Sequence, residues 1–130
     1  MRRLLTLLAL LVALLPGSLK AARPLYGISS WYGQERQGKL TASGEVFDKN
    51  LHTAAHMTLP LGTLVRVTNL KTQAVILLRV NDRGPGIAGR EIDVSWSAAK
   101  ELGFLEAGLT RVKIEVVGFY KIKISCRGSR

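Results

Sequence analysis

Hydrophobic and polar positions change period along the chain, and the changes mark its elements. Residues Leu25–Tyr32 mix aromatic and β-branched side chains and stop at Gly33, which predicts a first strand. Over Thr63–Asn69, Val65 and Val67 alternate with Arg66 and Thr68, the pattern of a half-buried strand. After a turn of hairpin length at 69–73, Ala74–Val80 is apolar except for Arg79, which suits a strand covered on both faces. Arg90–Val94 is short and extended. Alternation returns over Arg111–Val117, with Val112, Ile114 and Val116 inward and Arg111, Lys113 and Glu115 outward. One helix is clear: Ser95 suits an N-cap, Ala98, Ala99 and Leu102 share a face, and Gly103 suits the stop. Thr53–Met57, small and apolar around a histidine, reads as a further helical turn. Several short strands with one or two short helices, and no repeat, predict a mainly β domain closed into a small barrel.

The first fifth of the chain follows none of these periods. Arg2 and Arg3 precede Leu4–Leu15, apolar apart from Thr6, and Pro16, Gly17 and Ser18 end that run. With the small residues Ala21 and Ala22 behind it, this is the order of a secretory signal peptide, with cleavage expected after Ala21. The apolar run is short for a membrane span, so no stable anchor is expected once it is gone. The expected units are a signal peptide at 1–21, one barrel domain at 22–120 and a basic tail at 121–130. Loss of Arg2, Arg3 and Lys20 with the leader takes the formal net charge from +10 to about +7. A basic monomer exported across the inner membrane suits an anionic partner of the periplasm or cell envelope. The charges are scattered and not interleaved with aromatics, which argues against nucleic acid. Cys126 is the only cysteine, so no intrachain disulfide can form and apolar burial must hold the fold.

The candidate chemistry gathers where the long apolar run ends. Val80–Pro85 reads Val-Asn-Asp-Arg-Gly-Pro. A carboxylate at the exit of a buried strand is held stiffly and faces an opening, as catalytic groups require. The same residues also suit a plain turn in which Asp82 caps a backbone N–H and Arg83 is solvated. Glu45 follows the turn signal Ser43-Gly44, where an exposed charge is the ordinary reading. His56 has apolar neighbours, and a lone histidine so placed is more often hydrogen-bonded scaffolding than a ligand. Trp31 and Tyr32 are adjacent on a strand and face opposite sides. Both can be core, or one can offer a platform to a sugar ring. No metal or other cofactor is expected.

Four segments taken together go further. They are Ser30-Trp31-Tyr32-Gly33; Thr41-Ala42-Ser43-Gly44-Glu45; Thr53-Ala54-Ala55-His56 running into Leu59-Pro60-Leu61-Gly62-Thr63; and Arg79–Pro85 with Gly89–Ser95. In order and with short spacers, across nearly all of Gly27–Phe119, the set resembles the rare lipoprotein A family of septal lytic transglycosylases. The resemblance implies a six-stranded double-psi β-barrel, related in fold to plant expansins, barwin and some endoglucanases. It also implies endolytic cleavage of peptidoglycan glycan strands, with a preference for strands stripped of peptide. It puts the family's catalytic aspartate on Asp82, its glutamate on Glu45 and its histidine on His56, and a second barrel aspartate on Asp93, in the groove. Trp31, Asn81, Arg83 and Arg90 are expected beside Asp93 as contacts to the glycan. Family members often carry a lipid-bearing cysteine and a C-terminal repeat that binds denuded peptidoglycan; the expectation here is a soluble domain without that means of septal targeting.

The implied reaction breaks the bond between N-acetylmuramic acid and N-acetylglucosamine without water. One carboxyl group can protonate the leaving oxygen and then take the proton of the muramic acid 6-hydroxyl as it attacks. The water-activating carboxylate pair of ordinary glycosidases is not required. Asp82 is the candidate and must hold a proton at the start, which a nearby Glu45 carboxylate would favour. His56 would orient a carboxyl or bind sugar. Fold alone does not settle function. An expansin-like module that grips glycan without cutting it is the alternative, and a basic scaffold acting on anionic membrane or nucleic acid is a third reading.

Overall fold

The structure, a computed structural model, describes residues 23–120; the expected signal peptide and the basic tail with Cys126 lie outside the described residues. Six strands form it: β1 (Leu25–Tyr32), β2 (Thr53–His56), β3 (Thr63–Asn69), β4 (Val75–Asp82), β5 (Arg90–Ser95) and β6 (Thr110–Phe119). They close into a barrel in the order β1-β5-β2-β4-β3-β6. Two pairings are parallel, β1 with β5 and β2 with β4, and each carries a register shift. The other four are antiparallel. Closure leaves no sheet edge to be protected.

The interior is filled by the alternate positions that the period-two pattern marks. Val65 and Val67 of β3, Ile76, Leu78 and Val80 of β4, Ile92 and Val94 of β5, and Val112 and Ile114 of β6 are buried together. The helix α1 (Trp96–Leu102) follows β5 without a break and closes one side of this core with Ala98, Ala99 and Leu102. Its start is fixed by Ser95, whose Oγ accepts from the Ala98 N–H at 3.4 Å and donates to the Leu51 carbonyl at 2.6 Å. Gly103, in the left-handed region at φ 78°, ends it.

Two local expectations are overturned. Thr53–His56 is a strand, not a helical turn, because it lies between β4 and β5 and all four residues are buried by that pairing. Two strand partners outweigh the modest helix preference of Ala54 and Ala55. β4 is covered on one face only: Val75 and Leu77 are more than half exposed. It also runs on through Asp82 instead of ending at Val80.

Candidate active site

The shortest strand organises the site. Ala55 of β2 is in register with Asp82 of β4 on one side and with Asp93 of β5 on the other. Neighbouring strands are about 4.8 Å apart, so the two aspartates stand about 10 Å apart at the backbone with only a methyl group between them. The space left above that methyl is an open cavity of about 90 Å³, lined by Tyr32, Arg36, Ala55, Asp82, Arg83, Gly84, Pro85 and Asp93. Gly84, at φ 141°, takes a backbone conformation that side chains rarely adopt.

Asp82 is held by one of its oxygens. Its Oδ1 accepts the N–H groups of Ala42 (3.0 Å) and Arg83 (2.8 Å). Asp93 Oδ1 is engaged by the Ser30 hydroxyl and by Arg90 Nη2 (2.6 Å), and Arg90 also donates to Ser30. Arg83 turns its guanidinium away from both carboxylates, toward the carbonyls of His56 (3.1 Å) and Leu59 (2.6 Å).

Glu45 reaches the site indirectly. Residues 38–47 form a small hairpin, closed by Gly38 N–H to the Phe47 carbonyl (3.0 Å) and Phe47 N–H to the Lys39 carbonyl (2.8 Å). Phe47 is buried beneath it against the Tyr32 ring, centroids 4.7 Å apart. The tip docks on β4: Ser43 N–H donates to the Asn81 carbonyl at 3.0 Å, and the Glu45 carboxylate takes Arg79 Nη1. The Glu45 charge is therefore turned to Arg79. It fastens the loop that supplies the Ala42 N–H and does not line the cavity with Asp82.

His56 is scaffolding in its contacts. It is almost fully buried, and its Nδ1 accepts two backbone N–H groups, from Thr58 (3.2 Å) and Leu59 (3.1 Å). Two donors aimed at Nδ1 place the ring proton on Nε2, which donates to Glu91 Oε1 at 2.9 Å. The ring thus ties β5 to the turn whose carbonyls hold Arg83.

Of the expected glycan contacts, Arg83 and Asp93 line the cavity, and Arg90 is behind Asp93. Asn81 is buried, with its Oδ1 unpartnered. Trp31 faces away, packed on the core with its Nε1–H donating to the Leu105 carbonyl at 3.2 Å. Its neighbour Tyr32 faces the cavity instead. Burial pushes the Tyr32 hydroxyl well above the ordinary tyrosine range, and the Asp82 and Asp93 charges add to that; Arg36 and Thr53 oppose it. The hydroxyl is buried without a partner of good hydrogen-bond geometry, as is Thr53 Oγ1. Arg36, which the sequence did not single out, sits over the Tyr32 ring at 5.8 Å. The available signal was the alternation Ser30, Tyr32, which puts Tyr32 on the face that Ser30 shares with Asp93.

A six-stranded barrel with two parallel crossings and paired aspartates at one mouth is a double-psi β-barrel. A sequence model described as lytic transglycolase matches residues 25–114. The chain belongs to that family, the family of rare lipoprotein A. It is 47% identical over 91 residues to the endolytic peptidoglycan transglycosylase RlpA of Pasteurella multocida, covering 70% of this chain and 31% of that protein. It is 52% identical over 91 residues to the protein of the same name in Pseudomonas aeruginosa, covering 70% and 27%. The matched stretch is thus under a third of either relative. Among solved structures, the Streptomyces papain inhibitor superposes with a TM-score of 0.62 at 21% identity, covering 78% of this chain and all of that one. The Clavibacter michiganensis expansin gives 0.60 at 19%, covering 74% and 51%. At these identities the likeness is one of fold.

Proposed function

We propose that this chain is an endolytic peptidoglycan lytic transglycosylase of the cell envelope, acting as a monomer on peptide-poor glycan strands after export. One observation carries the reading: Asp82 and Asp93, from different strands, flank the same alanine at an open mouth. The names of the similar proteins supply the reaction class.

With Oδ1 of Asp82 anchored by two N–H groups, Oδ2 has no hydrogen-bond partner among the described residues and is the oxygen left to carry a mobile proton. That proton passes to the glycosidic oxygen as the bond to C1 of the muramic acid breaks. The carboxylate then takes the proton of the 6-hydroxyl as its oxygen bonds to C1. No water is consumed, and the products are a 1,6-anhydro end and a free hydroxyl on the departing sugar. Asp93, steadied by Ser30 and Arg90, faces the positive charge that develops at C1. A strand stripped of peptide exposes lactyl carboxylates. Arg36 is the fitting partner: it lines the cavity, and its guanidinium makes no hydrogen bond or ion pair among the described residues, whereas Arg83 and Arg90 are each tied to protein oxygens.

The test is digestion of peptide-stripped sacculi with product masses. The parent protein should release 1,6-anhydro saccharides, and Asp82→Asn should release none while melting within about 2 °C of the parent, as expected where no core contact is lost. Sedimentation with sacculi and no released product would overturn cleavage in favour of an expansin-like binder.

A further inference from the structure

We infer that Tyr120, with Arg79 beneath it, forms an outer subsite that stacks a sugar ring of the glycan strand beyond the cavity. This extends the cleavage reading and rests on it. A continuous line of contacts joins the two places. The loop that donates the Ala42 N–H to Asp82 also carries Ser43, whose Oγ meets Glu45 Oε1 at 3.3 Å. Glu45 takes Arg79, and the Arg79 guanidinium lies 5.6 Å from the centroid of the Tyr120 ring. Arg79 precedes Asp82 by three positions on β4, about 10 Å along a strand, within the span of a short oligosaccharide.

The ring is a built platform. Tyr120 N–H donates to the Gly62 carbonyl at 2.7 Å, and Gly62 N–H donates to the Val80 carbonyl at 2.7 Å, so its backbone is tied to the strand that ends in Asp82. Arg79 backs it, yet 57% of Tyr120 remains exposed, and Phe119 beside it is 72% exposed. The ring itself selects the occupant. The Arg79 cation beneath it is already paired with Glu45. An exposed aromatic face backed in this way suits the C–H face of a pyranose ring. Tyr120 lies past the stretch that the family model matches.

The experiment measures binding of peptide-free glycan strands, fractionated by length, to the full chain carrying Asp82→Asn so that none is consumed. Adding Tyr120→Ala should weaken long strands about three- to tenfold, the usual range for one aromatic contact, and leave a disaccharide unaffected. Tyr120→Phe should restore the parent affinity. Tyr26→Ala, an equally exposed tyrosine near the start of β1, opposite Lys113 of β6, should change nothing. If Tyr120→Ala binds every length like the parent, the subsite is overturned while cleavage stands. Binding of phosphatidylglycerol vesicles that depends on Tyr120, with unchanged glycan affinity, overturns it in favour of a membrane contact. If the parent neither binds strands nor releases anhydro products, the cleavage reading falls and takes the subsite with it.

Discussion

Replacing His56 by alanine separates scaffolding from chemistry. The ring makes three hydrogen bonds, to Glu91 and to the Thr58 and Leu59 N–H groups, from a position only 2% exposed. Each is worth about 1 kcal/mol net, and the emptied space behind the ring adds to the loss, for a total of about 3–5 kcal/mol. That is a large part of the stability of a small domain. At about 4–8 °C per kcal/mol for this size, the melting temperature should fall by at least about 12 °C. Urea unfolding followed by circular dichroism should show the same loss in the midpoint with an unchanged slope. His56→Asn, whose side-chain oxygen can replace Nδ1 as the acceptor of the two N–H groups, should recover more than half of it. A His56→Ala protein that melts within about 3 °C of the parent yet no longer cleaves glycan would refute the reasoning and return the imidazole to the chemistry.

Gly27→Ala should destabilise by about 1–3 kcal/mol in the same unfolding assay, because the new Cβ would stand 2.5 Å from the Glu91 Cβ and displace the partner of His56. Ala55→Leu should fill the gap between Asp82 and Asp93 and abolish product release with both aspartates intact; normal turnover in that variant would show that the substrate does not enter there. Tyr32 gives a pH signature. Its hydroxyl holds its proton more tightly folded than unfolded, so the stability this confers is complete below about pH 10 and is lost as pH rises above it. In that window the parent should lose up to about 1.4 kcal/mol per pH unit relative to Tyr32→Phe, and parallel stability curves for the two proteins would contradict the burial of that hydroxyl.

The strands whose residues alternate were legible because one face is buried and the other wet: Thr63–Asn69 and the central part of β6 stand where the period puts them. The helix was legible to the residue, since a serine cap and a stopping glycine act within four positions of the backbone they fix. β2 was not, because in Thr-Ala-Ala-His only Thr53 favours a strand; β4 and β5, distant in sequence, impose it. That failure concealed the site's plan, for it is Ala55 on this strand that sets Asp82 and Asp93 at their separation. Glu91 was missed for a related reason: its bond to His56 joins β5 to β2, which are distant in sequence, whereas Arg36 reaches Tyr32 from only four residues away, across a turn that leaves no periodic trace.

Asp82, Glu45 and His56 stood out together in the sequence, yet the fold gives them unlike work directed at one atom. Oδ1 of Asp82 is held by two N–H groups from two different segments. The Ala42 N–H belongs to the hairpin that Glu45 fastens to Arg79. The Arg83 N–H belongs to a residue whose guanidinium grips the His56 and Leu59 carbonyls, in a turn that the His56 ring gathers. Each support reaches the aspartate through its own network, one from each side. A carboxyl group that must give up a proton and retrieve it from a different oxygen needs its orientation fixed throughout. On the proposed reaction, two independent clamps on one oxygen would leave the other to face the sugar, which accounts for a glutamate and a histidine outside the cavity being built around it.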